Sequence, residues 1–188
     1  MRTALILFFL IASTLTNAQS YLVTLEGDTL VGKFKILKDD VQGEFIRFKS
    51  KKRKAAFDPM EIKQAVTKKN EIYSPIKIDG KYKFCKLEVA GYVNLYSFRS
   101  REGAETYNKE ILVKADGSSM IVPGAIRQRI IISDFLFECR TVSNNILDKE
   151  QYKRADIIKI VYDFNQCMNN TDLLADAAYN NALSSKEN

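Results

Sequence analysis

The chain has 188 residues, 46% of them hydrophobic, with 29 Lys and Arg against 23 Asp and Glu and no histidine. The missing imidazole removes Ser-His-Asp and Cys-His nucleophile pairs and every zinc site that relies on histidine. Neither a P-loop nor a Rossmann glycine pattern is present, so nucleotide chemistry has no home and no cofactor is expected. The net charge of +6 is uneven: Lys33 to Lys69 holds 12 basic and 5 acidic residues, +7, and Asp134 to the end holds 6 and 9, −3.

The opening stretch, MRTALILFFLIASTLTNAQS, has a basic Arg2, an apolar run from Ala4 to Ala12, and small or polar residues ending at Ala18. That is the pattern of a secretory signal peptide over residues 1–18, cleaved after Ala18 with Thr16 in the small-residue position before it. A spanning helix needs about 20 apolar residues, roughly twice this run. The expected product is a secreted or periplasmic chain with no transmembrane segment, large enough to bury its own core.

From Tyr21 the pattern is period two. YLVTL, the turn EGD and TLVGKFKI form a hairpin signal, with Gly27 in the turn and Gly32 marking a bulge or bend. EFIRFKS follows, with Ile46 and Phe48 in alternation and Phe45 out of step with Phe48, and then the turn KKRK and the strand KAAFD. DPMEIKQAV starts as a helical turn does, with Asp58 as cap and Pro59 in the first position. Residues 19–70 thus predict a small bent sheet or partial barrel, with the boundary near Asn70 to Pro75. Residues 71–124 predict an antiparallel meander: YKFCKLEV and YVNLYSFRS meet at Ala90–Gly91, and YNKEILVKA joins SSMIVP through Asp116–Gly117, a pair favoured in type I′ turns. Residues 125–169 predict helix, with Ile131, Phe135, Leu136 and Cys139 in one stripe and Ile157, Ile160, Val161, Phe164 and Cys167 in another. Residues 170–188 turn polar and are expected to be a disordered tail. Strands first and helices last give the α+β class.

The strongest charge feature is RFKSKKRK, which offers Arg47, Lys49, Lys51, Lys52, Arg53 and Lys54 to a polyanion; the plainer reading is a solvated hairpin turn whose lysines protect an edge. In an exported protein such a patch meets anionic glycan, lipid or an envelope protein sooner than nucleic acid. Asp134 and Glu138, four apart on one helix, are candidates for the carboxylate pair a glycosidase-type hydrolase would need, although ordinary helix-surface acids are much the plainer explanation. Tyr92, Tyr96, Phe98 and Tyr107 suit either strand packing or an apolar-ligand face. The favoured role is a non-enzymatic binding or assembly module of the cell envelope; the alternatives are a carboxylate-dependent hydrolase of envelope polymers and a carrier of an apolar ligand.

Export favours oxidised thiols, and the absence of a CxxC spacing rules out a thioredoxin-type pair. A Cys139–Cys167 disulfide then competes with buried free thiols. One unbroken helix to Leu147 would misplace Cys139 by about seven residues, roughly 10 Å, too far for a bridge. The bridge therefore requires the first helix to stop near Cys139 and RTVSNNIL to fold back as a separate element, which the weak helix formers Ser143, Asn144 and Asn145 permit. It is favoured as a structural staple, closing about 28 residues for about 3 kcal/mol. Cys85 is expected to be buried and inert.

The signal pattern, LEGDTLVGKFKI, VAGYVNLYSF and the closing IIKIVYDFNQC after a helix ending in FEC resemble a group of uncharacterised secreted proteins common in Bacteroidetes. The last stretch commonly reads Tyr-Asn-x-Cys in that group, and Phe164 replaces the Tyr here. The resemblance implies a Gram-negative periplasmic or cell-surface setting and no activity.

Overall fold

The computed structural model describes residues 19–39, 43–102, 105–124, 128–148, 150–152 and 156–184. The signal segment, residues 1–18, lies outside them. The class is α+β, with a mostly antiparallel, unclosed sheet followed by three helices. Two compact units divide within one strand, at Cys85 and Lys86, and not near Asn70. Asn70 closes a tight hairpin turn and Ile72 to Pro75 begins that hairpin's second strand, so the stretch is paired backbone and not a linker.

The first unit contains β1 (Tyr21–Thr24), β2 (Thr29–Val31), β3 (Lys33–Asp39), β4 (Gly43–Lys49), β5 (Lys54–Phe57), β6 (Ile62–Val66), β7 (Ile72–Ile78) and the start of β8 (Lys81–Val89). A 3-10 turn at Pro59–Glu61 follows Asp58 and is closed by the Glu61 carboxylate, which accepts the Asp58 N–H at 2.8 Å; the helical start read over DPMEIKQAV ends there, and IKQAV is the strand β6. Antiparallel pairing orders the strands β7-β6-β1-β2, while β4 carries β3 on one side and β5 on the other. A single parallel bridge, Gly43 to Tyr82, ties β4 to β8, and the Glu44 carboxylate reinforces it by accepting the Phe84 N–H at 2.8 Å. Leu22, Ile46, Phe48, Phe57, Ile62, Ala65 and Phe84 fill the core, so the alternation read from the sequence at Ile46 and Phe48 holds.

In the second unit β9 (Val93–Glu102), β10 (Glu105–Lys114) and β11 (Ser119–Ile121) continue from the end of β8 as a meander. Three hairpin turns of the protein share one construction. Thr24–Asp28, Thr67–Glu71 and Lys114–Ser118 each form a four-residue turn whose fourth residue has positive φ, namely Gly27, Asn70 and Gly117. Asp116 keeps a negative φ, so the turn before β11 is not the type I′ expected from Asp-Gly. It is a type I turn followed by a left-handed glycine, the usual three-residue hairpin.

The helices are α1 (Gln128–Phe135), α2 (Arg140–Leu147) and α3 (Ile157–Ser184). α1 does stop before Cys139, and RTVSNNIL is α2. Its buried face differs from the one expected: Ile132, Ser133 and Leu136 point inward and Ile131 is exposed. Three successive isoleucines leave the phase open, and the contact with α2 fixes it. There Ser133 and Ser143 hydroxyls lie 2.8 Å apart, and each also donates to the other's carbonyl at 3.0 Å. The Arg129 guanidinium holds the end of α2 by donating to the carbonyls of Ile146, Asp148 and Tyr152 at 2.8, 3.0 and 2.5 Å, a cation at a helix C-terminus. On α3 the predicted stripe is correct, with Ile157, Ile160, Val161 and Phe164 buried against Val93, Leu95 and Leu112. The backbone of α3 stays helical through Ser184, where a disordered tail was expected. Loss of large apolar residues removed the packing signal, but Leu173, Leu174, Ala175, Ala177 and Ala178 keep a high helix propensity.

Candidate functional site: a lysine groove

Alternation over Lys33–Ile36 in β3, Ile46–Lys49 in β4 and Lys54–Phe57 in β5 gives one face to the core and the other to solvent. Cross-strand register sets Lys33 opposite Lys49 and Lys49 opposite Lys54, with Lys35 opposite Arg47 in the next row. All five are exposed. Neighbouring strands lie about 4.8 Å apart, and like charges placed directly opposite destabilise a sheet. No ion pair between described residues relieves them; Lys86–Glu88, Lys114–Glu138 and Lys159–Asp163 are pairs formed elsewhere.

The row ends in a groove of about 970 Å³ lined by Gln19, Ser20, Val31, Gly32, Lys33, Lys49, Ser50, Lys51, Lys52 and Lys68, with no acidic residue among them. Two local features shape it. The turn after β4 is closed by the Ser50 N–H donating to the Arg53 carbonyl at 2.8 Å, and the Ser50 hydroxyl accepts the N–H groups of Lys52 and Arg53. At Gly32 the chain bends between β2 and β3 as expected, over the Phe48 ring. A Cβ there would lie 2.5 Å from Phe48 Cζ and 2.8 Å from the Lys49 carbonyl oxygen, so the groove floor must be glycine.

Of the basic residues singled out in the sequence, Lys49, Lys51 and Lys52 come together in the groove. Arg47 and Lys54 stand on the adjoining flat face, and Arg53 turns its guanidinium over the Phe57 ring, 5.4 Å from the centroid. Lys33 and Lys68 were missed. The hairpin register would have given Lys33, whereas Lys68 reaches the groove from the turn after β6 and leaves no sequence signal.

The remaining candidates separate. Glu138 lies beyond the end of α1 and pairs with Lys114, so it does not share a helix face with exposed Asp134. Phe98 is buried, Tyr92 packs against the second unit's core, Tyr96 is half-buried and Tyr107 is exposed. A different carboxylate pair occurs on the second unit's sheet. Glu88 accepts the Ser97 hydroxyl at 2.7 Å and meets Lys86 at 3.3 Å; Glu110, opposite Ser97, has its carboxyl pushed up by burial and then by Glu88. Among the described residues no cluster of His, Cys, Asp and Glu could hold a metal ion, and no helix is long and apolar enough to cross a membrane.

Cys139 and Cys167 are bridged, with Cα atoms 6.2 Å apart. Cys85 is free and fully buried, and burial, followed by the Glu44 carboxylate, pushes its thiol up to about 12. The folded thiol should resist alkylation at pH 8 and react only on unfolding. Because the folded value exceeds the unfolded one near 9, the unfolded state releases this proton first as pH rises. Stability should therefore fall between about pH 9 and 12, by about 1.4 kcal/mol per unit. Urea midpoints of the wild type and Cys85→Ala across that range check it; parallel curves would refute the assignment.

No family model, curated protein or solved structure matches the chain.

Proposed function

We propose that the protein is an exported, non-enzymatic binding module of the cell envelope that holds an anionic glycan or lipid on the lysine face of its first unit. The observation that carries this reading is the cross-strand row Lys33–Lys49–Lys54, five exposed like charges in two rows that cost stability and have no acidic partner among the described residues. A surface arranged against its own stability gains that energy back when a polyanion lies across it. Export is supported by the signal pattern and by the Cys139–Cys167 bridge, which persists in oxidising compartments. The resemblance to secreted Bacteroidetes proteins points to a periplasmic or outer-surface location. Nucleic acid is a less suitable partner in that setting.

Two measurements test it. The intact mass of protein recovered from periplasm or medium should correspond to a chain beginning at Gln19. Binding to a sulfated or uronate polysaccharide should weaken steeply with salt, and replacing Lys51, Lys52, Arg53 and Lys54 by Gln should reduce low-salt affinity on the order of tenfold. Unchanged affinity at low salt would remove the patch from the reading.

One observation favours a second reading, a carboxylate-dependent hydrolase of envelope polymers: burial, and then the Glu88 carboxylate, pushes the Glu110 carboxyl upward. It requires Glu110→Gln to abolish release of reducing ends from such a polymer.

A further inference from the structure

We infer that the lysine groove is built for phosphomonoesters on a compact, saccharide-sized frame. This rests on the polyanion reading and narrows it to one charge chemistry. The groove's cations are Lys33, Lys49, Lys51, Lys52 and Lys68, and it contains no arginine. Planar carboxylates are gripped by the guanidinium fork, which makes two parallel N–H bonds; an ammonium is a compact point charge whose attraction grows with the ligand's charge density. The patch does contain arginines, and the fold keeps both out of the groove lining, Arg53 against Phe57 and Arg47 on the flat face.

Charge and size agree with this. Each phosphomonoester carries about −1.5 to −2 at pH 7, so two of them bring about −3 to −4 to five ammonium groups. A volume of about 970 Å³ lies within the range of small-molecule sites and accommodates a phosphorylated sugar.

The ligand's own titration supplies the test. A phosphomonoester loses its second charge near pH 6, whereas uronate and sulfate stay ionised well below that. The protein has no histidine, and among the described residues the charged side chains lining the groove are the five lysines; the α-amino group of a chain beginning at Gln19 only gains positive charge as pH falls, so a loss of affinity between pH 7 and pH 5 belongs to the ligand. Binding of fructose 1,6-bisphosphate to the full mature chain would be measured by calorimetry at both pH values in about 50 mM salt. The expected result is a loss on the order of tenfold at pH 5, from one charge lost per phosphate at contact distance. Lys68→Ala, in an exposed turn, should bind several-fold more weakly at pH 7 with a smaller pH effect.

A galacturonate oligosaccharide should bind more weakly and without pH dependence over this range. Vesicles containing phosphatidic acid distinguish the sources: a pH-dependent gain over phosphatidylglycerol vesicles assigns the phosphate to a lipid headgroup, and binding of the soluble sugar alone assigns it to a free saccharide. Equal, pH-independent binding of galacturonate and bisphosphate would overturn the phosphomonoester assignment and leave the polyanion reading standing. Failure of every anion to bind would overturn both.

Discussion

Removing the Cys139–Cys167 bridge, by reduction or as the double variant Cys139→Ala/Cys167→Ala, should destabilise the second unit by about 3 kcal/mol. The bridge spans 28 residues and joins the N-terminus of α2 to the middle of α3. In the chain-entropy account its loss lets the unfolded chain expand, so the urea slope m should rise while the midpoint falls. A thermal midpoint about 10 °C lower in reductant follows from the same figure. Identical melting with and without reductant would show that the helices hold each other without the staple.

The second large effect belongs to Asn165, a buried side chain on α3 that replaces a strand partner for the sheet. Its Oδ1 accepts the Val93 N–H at 2.9 Å, and its Nδ2 donates to the carbonyls of Val93 at 3.0 Å and Ala90 at 3.5 Å. Asn165→Ala leaves both backbone groups of Val93 without a partner and opens a small cavity, a loss of about 3 kcal/mol. Gly91 is coupled to it, because a Cβ there would lie 2.3 Å from Nδ2 of Asn165. Gly91→Ala should therefore be costly in the native chain and much cheaper in the Asn165→Ala background. Additive losses in that double-mutant cycle, measured by urea unfolding, would disprove the clamp. Gly91, Asn165 and Cys167 stand in the stretches VAGYVNLYSF and IIKIVYDFNQC. Gly91 and Asn165 join sheet to helix, Cys167 joins α3 to the start of α2, and none of the three lies in the lysine groove.

Local chemistry made the order of elements legible. Period-two patterning gave the hairpins, Asp58-Pro59 gave the helical turn, and the weak helix formers at Ser143 to Asn145 made the break before α2 a condition of the bridge. The same local signals failed where two conformations satisfy one pattern. Asp116-Gly117 fits both a type I′ turn and a type I turn with a left-handed glycine, and three successive isoleucines fit two helix phases. In α3 beyond Met168, propensity alone sustains a helix after the packing signal has ended.

The sequence by itself determined the α+β class, the export pattern, the candidate cysteine pair and a basic stretch within RFKSKKRK, because each depends on neighbours along the chain. Only the tertiary structure decided that Lys33 stands opposite Lys49 and that Lys68 joins them across a groove floored by Gly32. It likewise decided that Arg53 stacks on Phe57 and that Asn165 completes the hydrogen bonding of Val93. These facts depend on strand register and on contacts between residues far apart in sequence, which the order of residues encodes only through the packing of the whole unit.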